Sequence, residues 1–257
     1  MTISPRLVAL LFPFILSPAL AADTAAQPEA VPDESAQELE AVTVSGLKDP
    51  AFLTYARALK ALAAFEQYHQ ALAPGARARF QLVRNPQKDD PAKTPVALSL
   101  VGSEQSADIA LAADRSFSIP RDARGVGEEP ELVTNRSRSL YRIGPHIVSP
   151  GALPNVRRLG DLRLECEMIW SFVKDDIGFL AKTTLTALGG GCRTSLDTWG
   201  VPAPGRVSNV TLVYGERREA LPAKKILANG FVYAPPVHDK SWPDDTLVEF
   251  ELAKALE

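Results

Sequence analysis

Apolar positions along this chain change their spacing several times, and each change marks an element. Between Phe52 and Leu72 they recur three and four residues apart, through Tyr55, Leu59, Leu62, Phe65 and Tyr68. That spacing predicts an amphipathic helix. Asp49-Pro50 offers it an N-cap acid and a first-turn proline, and Pro74-Gly75 stops it. The period then falls to two. Phe80 and Leu82 predict one strand, and Val96, Leu98 and Leu100 another, across the polar loop Asn85 to Thr94. Ile109 with Leu111, Phe117 with Ile119, Leu132-Val133 and Ser139 to Ile143 follow. Short strands with turn residues every roughly eight to twelve positions predict a small antiparallel β-sandwich. Val42, Val44 and Leu47 predict one more short strand before the helix.

The pattern shifts again at Leu159. Leu162, Leu164, Cys166, Met168 and Trp170 alternate with Arg163, Glu165 and Glu167, which predicts a strand with one polar face. Asp175-Asp176 then opens a predicted helix whose apolar face is Ile177, Leu180, Ala181, Thr184, Leu185 and Leu188. Gly189 to Gly191 suit a left-handed cap at its end. Beyond it the reading is β: Val207 to Tyr214, a Gly215-Glu216 turn towards Leu221, Ile226-Leu227, Phe231 to Tyr233, and Thr246 to Leu252.

The first residues change the picture of where this fold resides. Arg6, the apolar run Leu7 to Leu16, the break at Ser17-Pro18 and Ala19-Leu20-Ala21 have the order of a secretory signal peptide cut after Ala21. Residues 22–41 are rich in Ala, Pro, Glu and Gln without aromatics, which predicts a disordered leader. No later apolar run reaches the ~20 residues of a membrane span. Cleavage leaves 236 of 257 residues, and loss of Arg6 takes the formal charge from −3 to −4. A mildly acidic chain has no general attraction for nucleic acid. Two cysteines in an exported chain point to one disulfide, Cys166 to Cys192, closing 26 positions. In the chain-entropy account such a loop contributes about 3–3.5 kcal/mol. Two free buried thiols are the alternative.

Asp114-Arg115-Ser116-Phe117-Ser118-Ile119 closes the run Val96 to Pro120. The run resembles the carboxypeptidase-regulatory-like, or transthyretin-like, β-sandwich family, in which strand, short loop and strand lead to an acidic turn and F-x-I. Arg115-Ser116 stands where that family usually has a glycine. The resemblance implies a structural or binding sandwich instead of an active site, and the long preceding helix lies outside it.

The expected fold class is therefore α+β. Residues 42–150 form a helix packed on an antiparallel β-sandwich, and residues 151–257 form a disulfide-stapled α+β half. Standard catalytic constellations are absent: there is no G-x-S-x-G, P-loop, G-x-G-x-x-G or H-E-x-x-H. His69, His146 and His238 are the only histidines, so no metal ligand set, cofactor or catalytic residue is assigned. Asn135 and Asn209 head N-glycosylation sequons, which matter only in a eukaryotic host. The densest polar stretch is the loop Pro235 to Asp245. Its His238, Asp239, Trp242, Asp244 and Asp245 are the ligand-binding candidates. The same loop also reads as a rigid connection with Trp242 packed on the sheet. The expected role is a secreted or periplasmic, non-catalytic binding or scaffolding protein of the cell envelope, with an envelope protein or small ligand as partner. The alternative is an envelope hydrolase using His238, Asp239, Asp244 and Asp245.

Overall fold

A computed structural model describes residues 49–153, 155–194 and 199–254. The signal peptide, the leader and the strand expected at Val42 to Leu47 lie outside the described residues. The architecture mixes helix with antiparallel sheet, and three α-helices are present among the described residues. None is long and apolar enough to cross a membrane.

The first half runs β1 (Pro50–Thr54), α1 (Tyr55–Leu72), β2 (Phe80–Arg84), β3 (Leu98–Val101), β4 (Ser106–Asp108), β5 (Ser116–Phe117), β6 (Glu131–Ser137) and β7 (Tyr141–Pro145). One sheet has the order β1-β6-β3-β4 and another the order β5-β2-β7. Asp49-Pro50 does not open the helix. It opens β1, whose Ala51 and Leu53 point inward while the strand pairs with β6. The helix starts after Thr54, whose hydroxyl accepts from the Arg57 N–H at 3.4 Å. Helix α1 packs chiefly on the helix Leu159–Val173 of the second half and buries Tyr55, Ala58, Ala61, Leu62, Ala64 and Phe65 in the core that the two sheets share.

The second half begins with β8 (Val156–Arg158) and α2 (Leu159–Val173). Here the expected strand from Leu162 to Trp170 is a helix. Alternation with period two winds into four stripes on a helix, because residues four apart share a face. Leu162 and Cys166 join one core, while Leu164, Met168 and Phe172 join the other. Asp161 and Glu165 form the third stripe, and Arg163 lies on the fourth; all three are buried. Alternation means a strand only when the polar side chains reach water. Arg163 and Glu165 do not, because every residue of α2 from Leu159 to Cys166 is buried. Its Gly160 lets the α1 carboxyl end in close: a Cβ there would lie 2.1 Å from the Leu72 carbonyl oxygen.

After α2, the chain makes α3 (Phe179–Ala187). Asp175 and Asp176 precede this helix without joining it, and they pair with Lys60, Lys182 and Arg57. Among the described residues little covers the expected apolar face: α3 has no buried residue, Ile177 and Leu185 are half-buried, and Leu180 and Leu188 are 81% and 60% exposed. Gly189 and Gly190 take the left-handed turn that returns the chain, with the Gly190 N–H donating to the Leu185 carbonyl at 2.8 Å. The disulfide Cys166–Cys192 then ties the returning chain to α2, with a Cα separation of 5.8 Å.

The remaining strands are β9 (Val201–Pro202), β10 (Val207–Tyr214), β11 (Arg217–Ala220), β12 (Ile226–Leu227), β13 (Val232–Tyr233) and β14 (Leu247–Leu252). They form sheets of order β11-β10-β14-β8 and β12-β13-β9. Leu159, Leu162, Val210, Tyr233, Trp242 and Val248 pack between these sheets and α2. Helix α2 thus supplies side chains to both cores.

Candidate functional site

The loop expected to carry ligand chemistry joins β13 to β14, and three of its main-chain carbonyls converge on one buried arginine while Asp245 stays exposed. Arg163 of α2 reaches it with its whole guanidinium. Nε donates to the Val237 carbonyl at 2.9 Å, and Nη2 donates to the Asp239 and Trp242 carbonyls at 2.6 and 3.0 Å. Nη1 meets the Asp244 carboxylate at 2.5 Å. Trp242 is 2% exposed, within the second core, and the Arg217 guanidinium lies 3.5 Å over its ring. The Asp239 carboxylate accepts the Ser241 N–H at 2.9 Å, a bond that holds its pKa below the usual carboxylate range. Asp245 pairs with Arg158, so the adjacent carboxylates of Asp244 and Asp245 serve two different arginines.

The three histidines are placed apart. His69 stacks on Phe65 at the end of α1, with ring centroids 4.7 Å apart. His146 follows β7, and His238 sits half-buried in the β13–β14 loop. Among the described residues, no group of three or more His, Cys, Asp or Glu side chains could hold a metal ion.

A second polar concentration surrounds α2. Glu165 Oε1 accepts from the Ile147 N–H at 2.6 Å and from Arg157 Nη2 at 2.7 Å. Asp161 accepts from the Ser149 N–H at 2.9 Å and its hydroxyl at 2.6 Å. Arg158 in turn donates to the Ser149 hydroxyl at 2.7 Å. These bonds lash the segment after β7 onto α2. Burial raises the Glu165 carboxyl pKa, although Arg157 and the Ile147 N–H oppose it. His146 lies 3.7 Å from Glu165, and burial, reinforced by the Arg157 charge, takes its pKa down to about 4. Arg157 and Glu165 appear in the sequence as ordinary charges; their burial follows from the enclosure of α2.

The third place is open. Where the chain leaves β4 and returns through β5, it forms a groove of about 920 Å³. Ile109, Leu111, Phe117, Ile119, Ala123 and Val126 line it. The two legs, Ser106 to Leu111 and Ser116 to Pro120, are bridged at one end, where the Ala112 N–H donates to the Ser116 carbonyl at 2.9 Å. They then diverge, because β4 pairs with β3 in one sheet while β5 pairs with β2 in another. At the far end, the turn Arg124–Val126 covers the chain: the Glu104 N–H donates to the Val126 carbonyl at 3.2 Å. Beside the groove, the Asp122 carboxyl is held down at about 2 by its hydrogen bonds from Arg124. The sequence carries no distinct signal for this groove: along the β4 leg, small residues such as Ala107 and Ala110 alternate with Ile109 and Leu111, as in any strand.

No family model, curated protein or solved structure matches the chain.

Proposed function

We propose that this is an exported, non-catalytic binding or scaffolding protein of the cell envelope, and that the groove between the β4 and β5 legs is where it holds its partner. In this reading the sheets β1-β6-β3-β4 and β5-β2-β7 are the layers of a transthyretin-like sandwich. The carrying observation is the groove itself: an open recess with an apolar lining, built from strands that part into different sheets. A large recess with an apolar lining is where a folded chain seats a ligand or partner segment. Two further facts support it. The carboxylates of Asp244 and Asp245 are engaged by Arg163 and Arg158. The Cys166–Cys192 disulfide suits an oxidising compartment outside the cytoplasm.

The test is binding of the fluorescent apolar probe anilinonaphthalene sulfonate to the mature chain. Leu111→Asp is expected to weaken it at least fivefold, and because Leu111 packs partly on the first core, a retained cooperative melt checks that the variant is folded. Equal binding by this variant would remove the groove as the site. Turnover in a screen of esters and glycosides, abolished by His238→Ala, would replace the binding reading with the hydrolase.

A further inference from the structure

The groove has a second property besides its apolar lining, and it concerns main-chain groups. Strand β4 pairs with β3 so that Ser99 faces Asp108, Leu100 faces Ala107 and Val101 faces Ser106. Just beyond these pairs, the Ile109 N–H donates to the Leu98 carbonyl at 2.9 Å, and the Gly102 N–H donates to the Gln105 carbonyl at 3.1 Å. In an antiparallel ladder, hydrogen-bonded and non-bonded pairs alternate. Residues 105, 107 and 109 therefore bond to β3. The N–H and C=O groups of Ser106, Asp108 and Ala110 point the other way, to the open edge.

The opposite leg follows the same rule. The Leu82 N–H donates to the Arg115 carbonyl at 3.1 Å, and Phe80 pairs with Phe117. This turns the main chain of Ser116 and Ser118 away from β2. The Ser116 carbonyl is taken by Ala112 at the bridged end. Ser118 lies beyond that bridge, where the legs separate.

We infer that the groove accepts an extended polypeptide segment of a partner protein as an added strand, hydrogen-bonded to Ser106, Asp108 and Ala110, with alternate apolar side chains in the lining. This rests on the groove being the binding site. Three outward positions spaced two residues apart match about five residues of strand, or ~17 Å. A small apolar ligand would use the lining and leave this row of donors and acceptors without partners. A strand uses both, which is how β-augmentation divides affinity and specificity. The run from Ser106 to Ala110 has no lysine and no proline; what guards it as a free edge is the short length of β4 and the single charge of Asp108.

The experiment uses the mature full-length protein and a pool of nine-residue synthetic peptides in which Val, Ile or Phe alternates with Ser, Thr or Lys. Binding is read by fluorescence anisotropy, and backbone amides are read by hydrogen exchange. In the complex, the Asp108 and Ala110 amides are expected to exchange at least tenfold more slowly, while the Ala107 amide, already paired, is unchanged. N-methylation of the peptide amides on one alternate set should weaken binding at least tenfold, and on the other set little. Ala110→Pro, which deletes an outward N–H, should weaken binding severalfold. If both methylated sets bind like the parent and the edge amides stay unprotected, strand addition is wrong while the groove still stands as a site. If no peptide binds and the apolar probe is also indifferent to Leu111→Asp, both readings fall.

Discussion

Two regions of this molecule handle exposed main-chain carbonyls in opposite ways. In the loop between β13 and β14, the Val237, Asp239 and Trp242 carbonyls converge on one guanidinium, that of Arg163. In the groove, the carbonyls and N–H groups of Ser106, Asp108 and Ala110 face outward, and among the described residues no strand pairs with that edge. The loop is rich in residues that suggest chemistry, and it is closed. The groove wall is poor in them, and it is open. The difference teaches that polar side-chain density is a weak guide to function when a buried arginine is available to absorb it. What an edge leaves unpaired is the better guide.

The largest expected effect lies on the closed side. Arg163→Met removes the donor for three carbonyls and the cation beside Asp244 at one stroke. Asp244 is partly exposed, so most of the loss comes from the carbonyls left without a donor, each costing about 1–3 kcal/mol when buried, and a urea titration should show a loss of a few kcal/mol. Asp244→Asn keeps the three carbonyl bonds and should cost about 1 kcal/mol. If the two variants cost the same, the loop is held by the ion pair alone, and the contrast with the groove loses its main support.

A smaller effect concerns pH and the charges beside α2. His146 has its folded pKa near 4 against an ordinary 6.5, from burial and the neighbouring Arg157. The folded state therefore binds fewer protons than the unfolded state between those values. Stability from this group is complete above pH 6.5 and is lost as pH falls towards 4. The displacement corresponds to at most about 3 kcal/mol. Glu165 acts in the opposite sense. Its raised pKa, from burial, means that its contribution to stability falls as pH rises from the ordinary carboxyl range. Denaturant midpoints between pH 4 and 7 should therefore slope less in His146→Gln than in the parent protein. An unchanged slope would show that His146 is hydrated and that this region is less closed than its bonds suggest.

Much of the fold was legible in the sequence where one face of an element meets water. The α1 stripe, β2, β3, β6, β10 and β14 all show it, as does the Gly215 turn, whose φ of +57° suits glycine. The pairing of Cys166 with Cys192 was legible from compartment and count alone. Helix α2 was not, and the reason is burial. Its polar residues reach buried partners in other segments: Asp161 meets Ser149, Glu165 meets Ile147 and Arg157, and Arg163 meets Val237 to Asp244. No local pattern records contacts so distant along the chain. Helix α3 fails the other way: its apolar spacing is real, but little within the described residues covers it. The groove was illegible because it is made of main chain, and its lining residues read as ordinary strand residues.

The smallest expected effect is also the sharpest test of the contrast, because it compares two alanines three positions apart. Both Ala107 and Ala110 are exposed and lie along the same edge. Register points the Ala107 N–H at the Leu100 carbonyl and the Ala110 N–H at open solvent. Proline lacks an N–H and is tolerated on a strand only where that group faces outward. Ala107→Pro should therefore destabilise the protein by about 1–3 kcal/mol, through a lost ladder bond and a displaced strand. Ala110→Pro should stay within about 0.5 kcal/mol of the parent. Thermal melts of the two variants decide the matter. Equal losses would mean that the Ala110 N–H is engaged within the protein, and the groove would then lack the free edge on which strand addition depends.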